Sequence, residues 1–207
     1  MSTEELATLY CNGLEEVKTR LALIRSVLGG SLTAGSELFN YEIVAMHLRK
    51  TLEVVAFGSM TANREAYSAA HADFAKHWNA KRLLDKLFQL HPEFYPKPIY
   101  VAQDDPGPPR HLHFDFLTDG FLTQAEFVEL YDLCSQVIHT RNPFAPSDII
   151  DFRYNVAQWC ERIERLLSMH LMRLAGTPQV WIARLNDPSD NKAHAAIAIP
   201  RSDSGVP

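Results

Sequence analysis

The stretch from Tyr131 to Pro143 ends a predicted helix and brings a histidine and an arginine close together. His139 lies at the helix C-terminus, where the negative end of the helix dipole favours imidazolium, and Arg141 follows in a tight loop. A histidine can move a proton while an arginine holds developing negative charge, which is acid–base chemistry suited to a phosphodiester. The structural alternative, which we prefer, is that His139 caps the helix and Asn142 begins the turn.

Arg49 and Glu53 lie one turn apart on one face of a second predicted helix. That helix contains Leu52–Phe57, which is apolar almost all round and places the helix at the centre of the fold. Because buried charges need partners, we predict that His139 packs against this helix and faces Arg49 or Glu53. The set His139, Arg141, Arg49 and Glu53 is then either a structural lock, which we favour, or the catalytic site.

One predicted strand carries a possible metal-binding pattern. His111, His113 and Asp115 alternate along it, so their side chains point the same way and could reach one metal ion. The same alternation describes the wet face of an amphipathic strand, and no fourth ligand suggests itself. We therefore predict no metal and no cofactor.

A cluster of basic residues on a third helical region could hold phosphates. Asp73 and Asp85 interrupt it, and a helix in this place needs a polar outer face in any case, so we predict a solvated surface. The cluster consists of Lys76, His77, Lys81, Arg82 and Lys86.

Composition excludes several classes of function. The net charge of -5 gives no overall basic field for nucleic acid, and no apolar run is long enough to cross a membrane. Cys11, Cys134 and Cys160 lie far apart without a CxxC pattern, which favours free thiols in a reducing compartment. We predict a cytoplasmic protein without a membrane partner. Familiar catalytic signatures such as GxSxG, the P-loop or HExxH are absent, so whether the chain is an enzyme stays open.

Apolar periodicity and capping signals predict a mostly α fold: a helical bundle with two short β-hairpins that form a small antiparallel sheet. The helices are predicted at about 2–28, 36–63, 64–90 with a break near His77, 123–138 and 147–174. The hairpins lie near 98–117 and 179–199. Residues 1–199 are predicted to form a single domain, followed by a mobile tail at 200–207.

Three stretches carry a family resemblance: Leu48-Arg49-Lys50-Thr51-Leu52-Glu53, then Leu90-His91-Pro92-Glu93-Phe94-Tyr95-Pro96, then the helix from Leu122-Thr123 to Ile138-His139. In this order, over roughly residues 5 to 145, the chain resembles an uncharacterised bacterial family of HEPN-like helical proteins. The resemblance implies a homodimer in a defence or toxin–antitoxin context. HEPN ribonucleases cleave RNA without a metal ion, so the resemblance also implies this activity.

The HEPN motif itself is an arginine, a polar residue after it, and a histidine four to six residues further on. Arg141 follows His139 here instead of preceding it. Arg165 and His170 have the spacing but lack the polar residue, and Arg64 with His71 fits at the edge of the range. Chance alone explains pairs of this kind in a chain with this many arginines and histidines.

Two functions therefore stay open. The preferred hypothesis is a non-catalytic helical module that dimerises or binds a protein partner; the alternative is a HEPN-like metal-independent endoribonuclease acting on RNA at His139 and Arg141. A narrow heptad seam on the first helix predicts a homodimer. The apolar strands at 180–185 and 193–199 also predict a homodimer, because a small helical bundle alone would not bury them.

Overall fold

The computed structural model describes residues 1–77, 79–105, 111–140 and 154–199, apart from the side chains of Asp105 and His111. Three features predicted from the sequence fall outside these residues: Arg141, the start of the last helix at Ser147, and the tail at 200–207.

Two long helices, α1 (Thr3–Leu28) and α2 (Glu37–Ala62), form the centre of the helical layer. A capping box starts α1, since the Ser2 hydroxyl accepts the Glu5 N–H and the Glu5 carboxylate accepts the Ser2 N–H. The predicted apolar seam of α1 is buried from Tyr10 to Ile24, whereas Leu28 at its end is 49% exposed. At Gly58 of α2 an added Cβ would lie 2.8 Å from the Tyr10 ring, so only glycine permits this close approach.

Shorter helices surround this pair: α3 (Arg64–Ala70), α4 (Ala80–Leu90), α5 (Gln124–Ile138) and α6 (Val156–Leu167). The predicted break in the third helical region is confirmed, because a 3₁₀ turn at Phe74–Lys76 separates α3 from α4. A capping box of Thr123 and Glu126 begins α5, in agreement with the predicted helix start at residue 123. None of these described helices is both long and apolar enough to cross a membrane.

Five antiparallel strands form one sheet in the order β2-β1-β3-β4-β5. Their bounds are β1 (Lys97–Asp105), β2 (His111–Phe116), β3 (Met169–Arg173), β4 (Val180–Arg184) and β5 (His194–Ala198). The predicted pairings of β1 with β2 and of β4 with β5 are present. Because β3 pairs with both β1 and β4, the two predicted hairpins belong to a single sheet.

The prediction of a helix reaching Leu174 is wrong at its C-terminal end. α6 ends at Leu167, and Met169–Arg173 is a strand. His170 and Leu174 continue the helical spacing of the preceding residues, but Met169–Met172 is short and apolar, and such runs fit a strand equally well. Pairing with two neighbouring strands satisfies its backbone groups and decides the outcome.

One face of the sheet packs against the helices. His170 and Met172 of β3 and Trp181 and Ala183 of β4 point to this side, and all four are buried. The core of the protein therefore lies between the helical layer and this face.

Candidate functional sites

Arg49 does find partners, but not the predicted one. Its guanidinium pairs with Glu53 at 3.3 Å, and both side chains are largely buried. It also donates to the Tyr131 hydroxyl at 3.1 Å and the Ser135 hydroxyl at 3.3 Å, and lies over the Tyr131 ring. Arg49 thus joins α2 to α5 through residues one and two turns before the end of α5, and Glu53 pairs with it on α2.

His139 is exposed, so the prediction that it packs against α2 is wrong. Its N–H caps α5 by donating to the Ser135 carbonyl, but its backbone is extended with φ -85° and ψ 131°. The chain after His139 therefore leaves the helix direction, and the His139 side chain is exposed to solvent. Among the described residues, no hydrogen bond joins His139 to Arg49 or Glu53, and Arg141 lies outside them.

His139→Ala is therefore expected to change the free energy of unfolding by less than about 0.5 kcal/mol, as exposed substitutions usually do. Arg49→Ala, the matched change inside the cluster, is expected to lose about 1–3 kcal/mol because it leaves partly buried partners unpaired. Thermal and urea unfolding check both values. A His139→Ala loss as large as that of Arg49→Ala would contradict the exposed position. RNA cleavage by His139 stays a prediction. An RNA-cleavage assay without added metal on the same two variants tests it.

Among the described side chains, no group of three histidine, cysteine or acidic residues could hold a metal ion. Asp115 accepts a hydrogen bond from Tyr100 at 3.3 Å. The side chain of His111 is outside the described residues.

The basic cluster lines a pocket of about 330 Å³ at the start of α4, here called the basic pocket. Its lining residues are Lys76, His77, Asn79, Arg82, Leu83 and Lys86. Lys81 is not among them, because it pairs with Asp132 of α5 at 2.7 Å. Lys76 and Arg82 are exposed, as the prediction of a solvated face requires, and they also line this concave site.

His77 is held in the basic pocket from two sides. Its Nδ1 lies 2.9 Å from the hydroxyl of the buried Tyr67, and its Nε2 lies 2.8 Å from the Lys86 ammonium. A lysine can only donate, so Nε2 is the acceptor in the contact with Lys86. The His71 ring lies 5.6 Å from that of His77, and burial together with the positive charge of Lys86 lowers the pKa of His71.

The second face of the sheet was missed by the sequence analysis as a possible site; it is here called the open sheet face. Strand register places on it the charged Lys97 and Arg173 and a larger set of apolar residues, of which Ile99 and Val180 are buried. The apolar residues are Ile99, Val101, Leu112, Phe114, Phe116, Met169, Leu171, Val180, Ile182, Ala196 and Ala198. Many of them line a depression of about 620 Å³ whose rim carries Arg184, Asp187 and His194. The alternation in β2 predicted a buried apolar side, yet Leu112 is 40% and Phe116 is 51% exposed.

No protein-family model, curated protein or solved structure matches this chain. The geometry of the described residues therefore carries the functional argument.

Proposed function

We propose that the protein is a self-association module whose open sheet face pairs with the same face of a second copy. The observation that carries this proposal is the run of apolar side chains across all five strands on the side of the sheet opposite the helices. Contiguous apolar patches with a polar rim are typical of interaction surfaces. Pairing like faces about a twofold axis closes the assembly at two copies.

The heptad seam of α1 does not contribute to this proposal. Leu14, Val17, Leu21 and Ile24 are buried within the chain's own core, so they are not available to a partner. The apolar strands remain as support for a homodimer. Arg184 and Asp187 on the rim carry opposite charges, which suits a surface that must meet its own copy.

The size of the face suggests a weak dimer. Five strands about 4.8 Å apart and about 17 Å long present roughly 400 Å² in projection. An interface of this size lies at the low end for specific complexes, below about 1,200 Å² in total. We therefore expect a dimer that dissociates on dilution.

Two glutamate substitutions test whether this face holds the dimer. Leu171→Glu alters the middle strand, and Ala196→Glu alters an exposed position on β5. A charge buried at the centre of an apolar interface lacks a partner, so both variants are expected to be monomers at about 50 µM, a concentration at which we expect the wild type to be dimeric. Light scattering after size-exclusion chromatography measures the mass.

Ala157→Glu is the matched control, because Ala157 is an exposed alanine in the first turn of α6. It is expected to stay dimeric. Circular dichroism establishes that each variant is folded. A folded Ala196→Glu and a folded Leu171→Glu that both keep the wild-type mass would overturn the proposal.

A further inference from the structure

The basic pocket concentrates positive charge in a protein whose net charge is -5. Lys76, Arg82 and Lys86 line it together with His77, and no carboxylate is among its described lining residues. The nearest acidic side chain, Asp73, lies 3.3 Å from His77 Nε2 and is 66% exposed. Asp85 on α4 is also exposed. The cations of the pocket are therefore only partly compensated.

The Lys86 ammonium donates to His77 Nε2 at 2.8 Å, which holds the lysine charge at the pocket. The buried Tyr67 fixes the orientation of the His77 ring, so the histidine is positioned before any ligand arrives.

The first turn of α4 adds to the attraction for an anion. Asn79 caps this helix by accepting the Arg82 N–H at 3.0 Å, and the helix runs for 11 residues from Ala80. Its N-terminus carries partial positive charge and lies at the pocket. Lysine and arginine side chains together with a helix N-terminus are the groups by which proteins hold phosphate.

We propose that the basic pocket binds a phosphate group, as inorganic phosphate or as a small phosphate monoester. Lys76, Arg82 and Lys86 neutralise its charge. The volume of about 330 Å³ exceeds that of a phosphate ion, so the pocket has room for part of an ester substituent. This inference does not depend on self-association through the open sheet face.

Isothermal titration calorimetry with inorganic phosphate, and separately with phenyl phosphate, tests the proposal at constant ionic strength. We expect saturable binding of at least one of the two probes to the wild type. Binding of phenyl phosphate alone identifies an ester site, and binding of both identifies a site for the phosphate group itself. Arg82→Gln and Lys86→Gln are each expected to raise the dissociation constant at least about tenfold, because each removes a charged hydrogen-bond donor.

Lys81→Gln is the matched control, since it removes the same charge from the same helix outside the pocket. It is expected to change the dissociation constant less than about twofold. Thermal unfolding in chloride buffer checks that all variants are folded. No saturable binding of either probe to the wild type would overturn the proposal, as would an equal loss in Lys81→Gln. Binding of single-stranded RNA without binding of either phosphate probe would also overturn it.

Discussion

Glu126→Gln is expected to lower the free energy of unfolding by about 3–5 kcal/mol, the cost of leaving a buried charge without its partner. Glu126 is only 6% exposed, and its carboxylate lies 2.6 Å from the Arg162 guanidinium. Glutamine keeps the shape of the side chain but removes its charge. Arg162 would then remain buried without a countercharge.

The contacts around this ion pair explain the size of the effect. Thr123 donates to Glu126 through both its N–H and its hydroxyl, and Arg162 also donates to the Phe121 carbonyl and lies over the Tyr154 ring. Burial raises the pKa of the Glu126 carboxyl, but hydrogen bonds from Arg162 and Thr123 outweigh it and hold the pKa below its ordinary value. The pair therefore links the first turn of α5 to α6.

Glu5→Gln is the matched control, because Glu5 occupies the same capping-box position at the exposed start of α1. It is expected to cost less than about 1 kcal/mol. Urea unfolding measures both variants, and a double-mutant cycle with Arg162→Met separates the pairing energy from the cost of an unpaired charge. Equal losses for Glu126→Gln and Glu5→Gln would contradict the buried ion pair.

The second large effect is an acid destabilisation that originates at His170. This side chain is fully buried in β3, where Nδ1 donates to the Leu167 carbonyl at 3.1 Å and Nε2 accepts from the Tyr10 hydroxyl. Both nitrogens of the neutral ring are satisfied, so a second proton would displace the hydrogen bond that Nε2 accepts from Tyr10. Burial lowers the pKa of His170 from 6.5 to about 4.

The direction of the pH dependence follows from this lowered pKa. The unfolded chain binds a proton at His170 below pH 6.5, whereas the folded chain does so only below about pH 4. The contribution of His170 to stability is therefore complete above pH 6.5 and is lost as the pH falls towards about 4. A pKa lowered to this extent corresponds to about 3 kcal/mol.

Unfolding free energies at a series of pH values between about 7 and 4 measure this loss. The unfolding free energy of His170→Gln is expected to fall much less as the pH is lowered. This variant is less stable than the wild type near neutral pH, because it alters a buried hydrogen-bonded group. His139→Gln, at an exposed histidine, is expected to lose stability at low pH as the wild type does. An unchanged slope in His170→Gln would show that other groups cause the acid loss.

Local signals in the sequence predicted much of the secondary structure. Ser2 and Thr123 begin helices through capping boxes that depend on residues only three positions away. The strand Met169–Arg173 could not be assigned in this way, because its partners lie in β1 and β4. A short apolar run has no preference strong enough to overrule such pairing.

The candidate sites also combine features that are local in the sequence with contacts between distant residues. The basic cluster is visible in the sequence because its members lie within one segment, but Tyr67, which orients His77, was not part of that pattern. His170 and Tyr10 are 160 residues apart in the chain, so their contact follows only from the packing of β3 against α1. Alternation in β2 predicts two faces of a strand, but not which face the helices will cover.

Sedimentation equilibrium of the wild-type chain between about 5 and 100 µM tests self-association most directly. The average mass is expected to rise with concentration from 23.4 kDa towards twice that value. In Leu171→Glu, measured in parallel, the open sheet face carries a charge, and the mass is expected to stay at 23.4 kDa throughout. A wild-type mass of 23.4 kDa over the whole range would contradict the proposal that this face joins two copies.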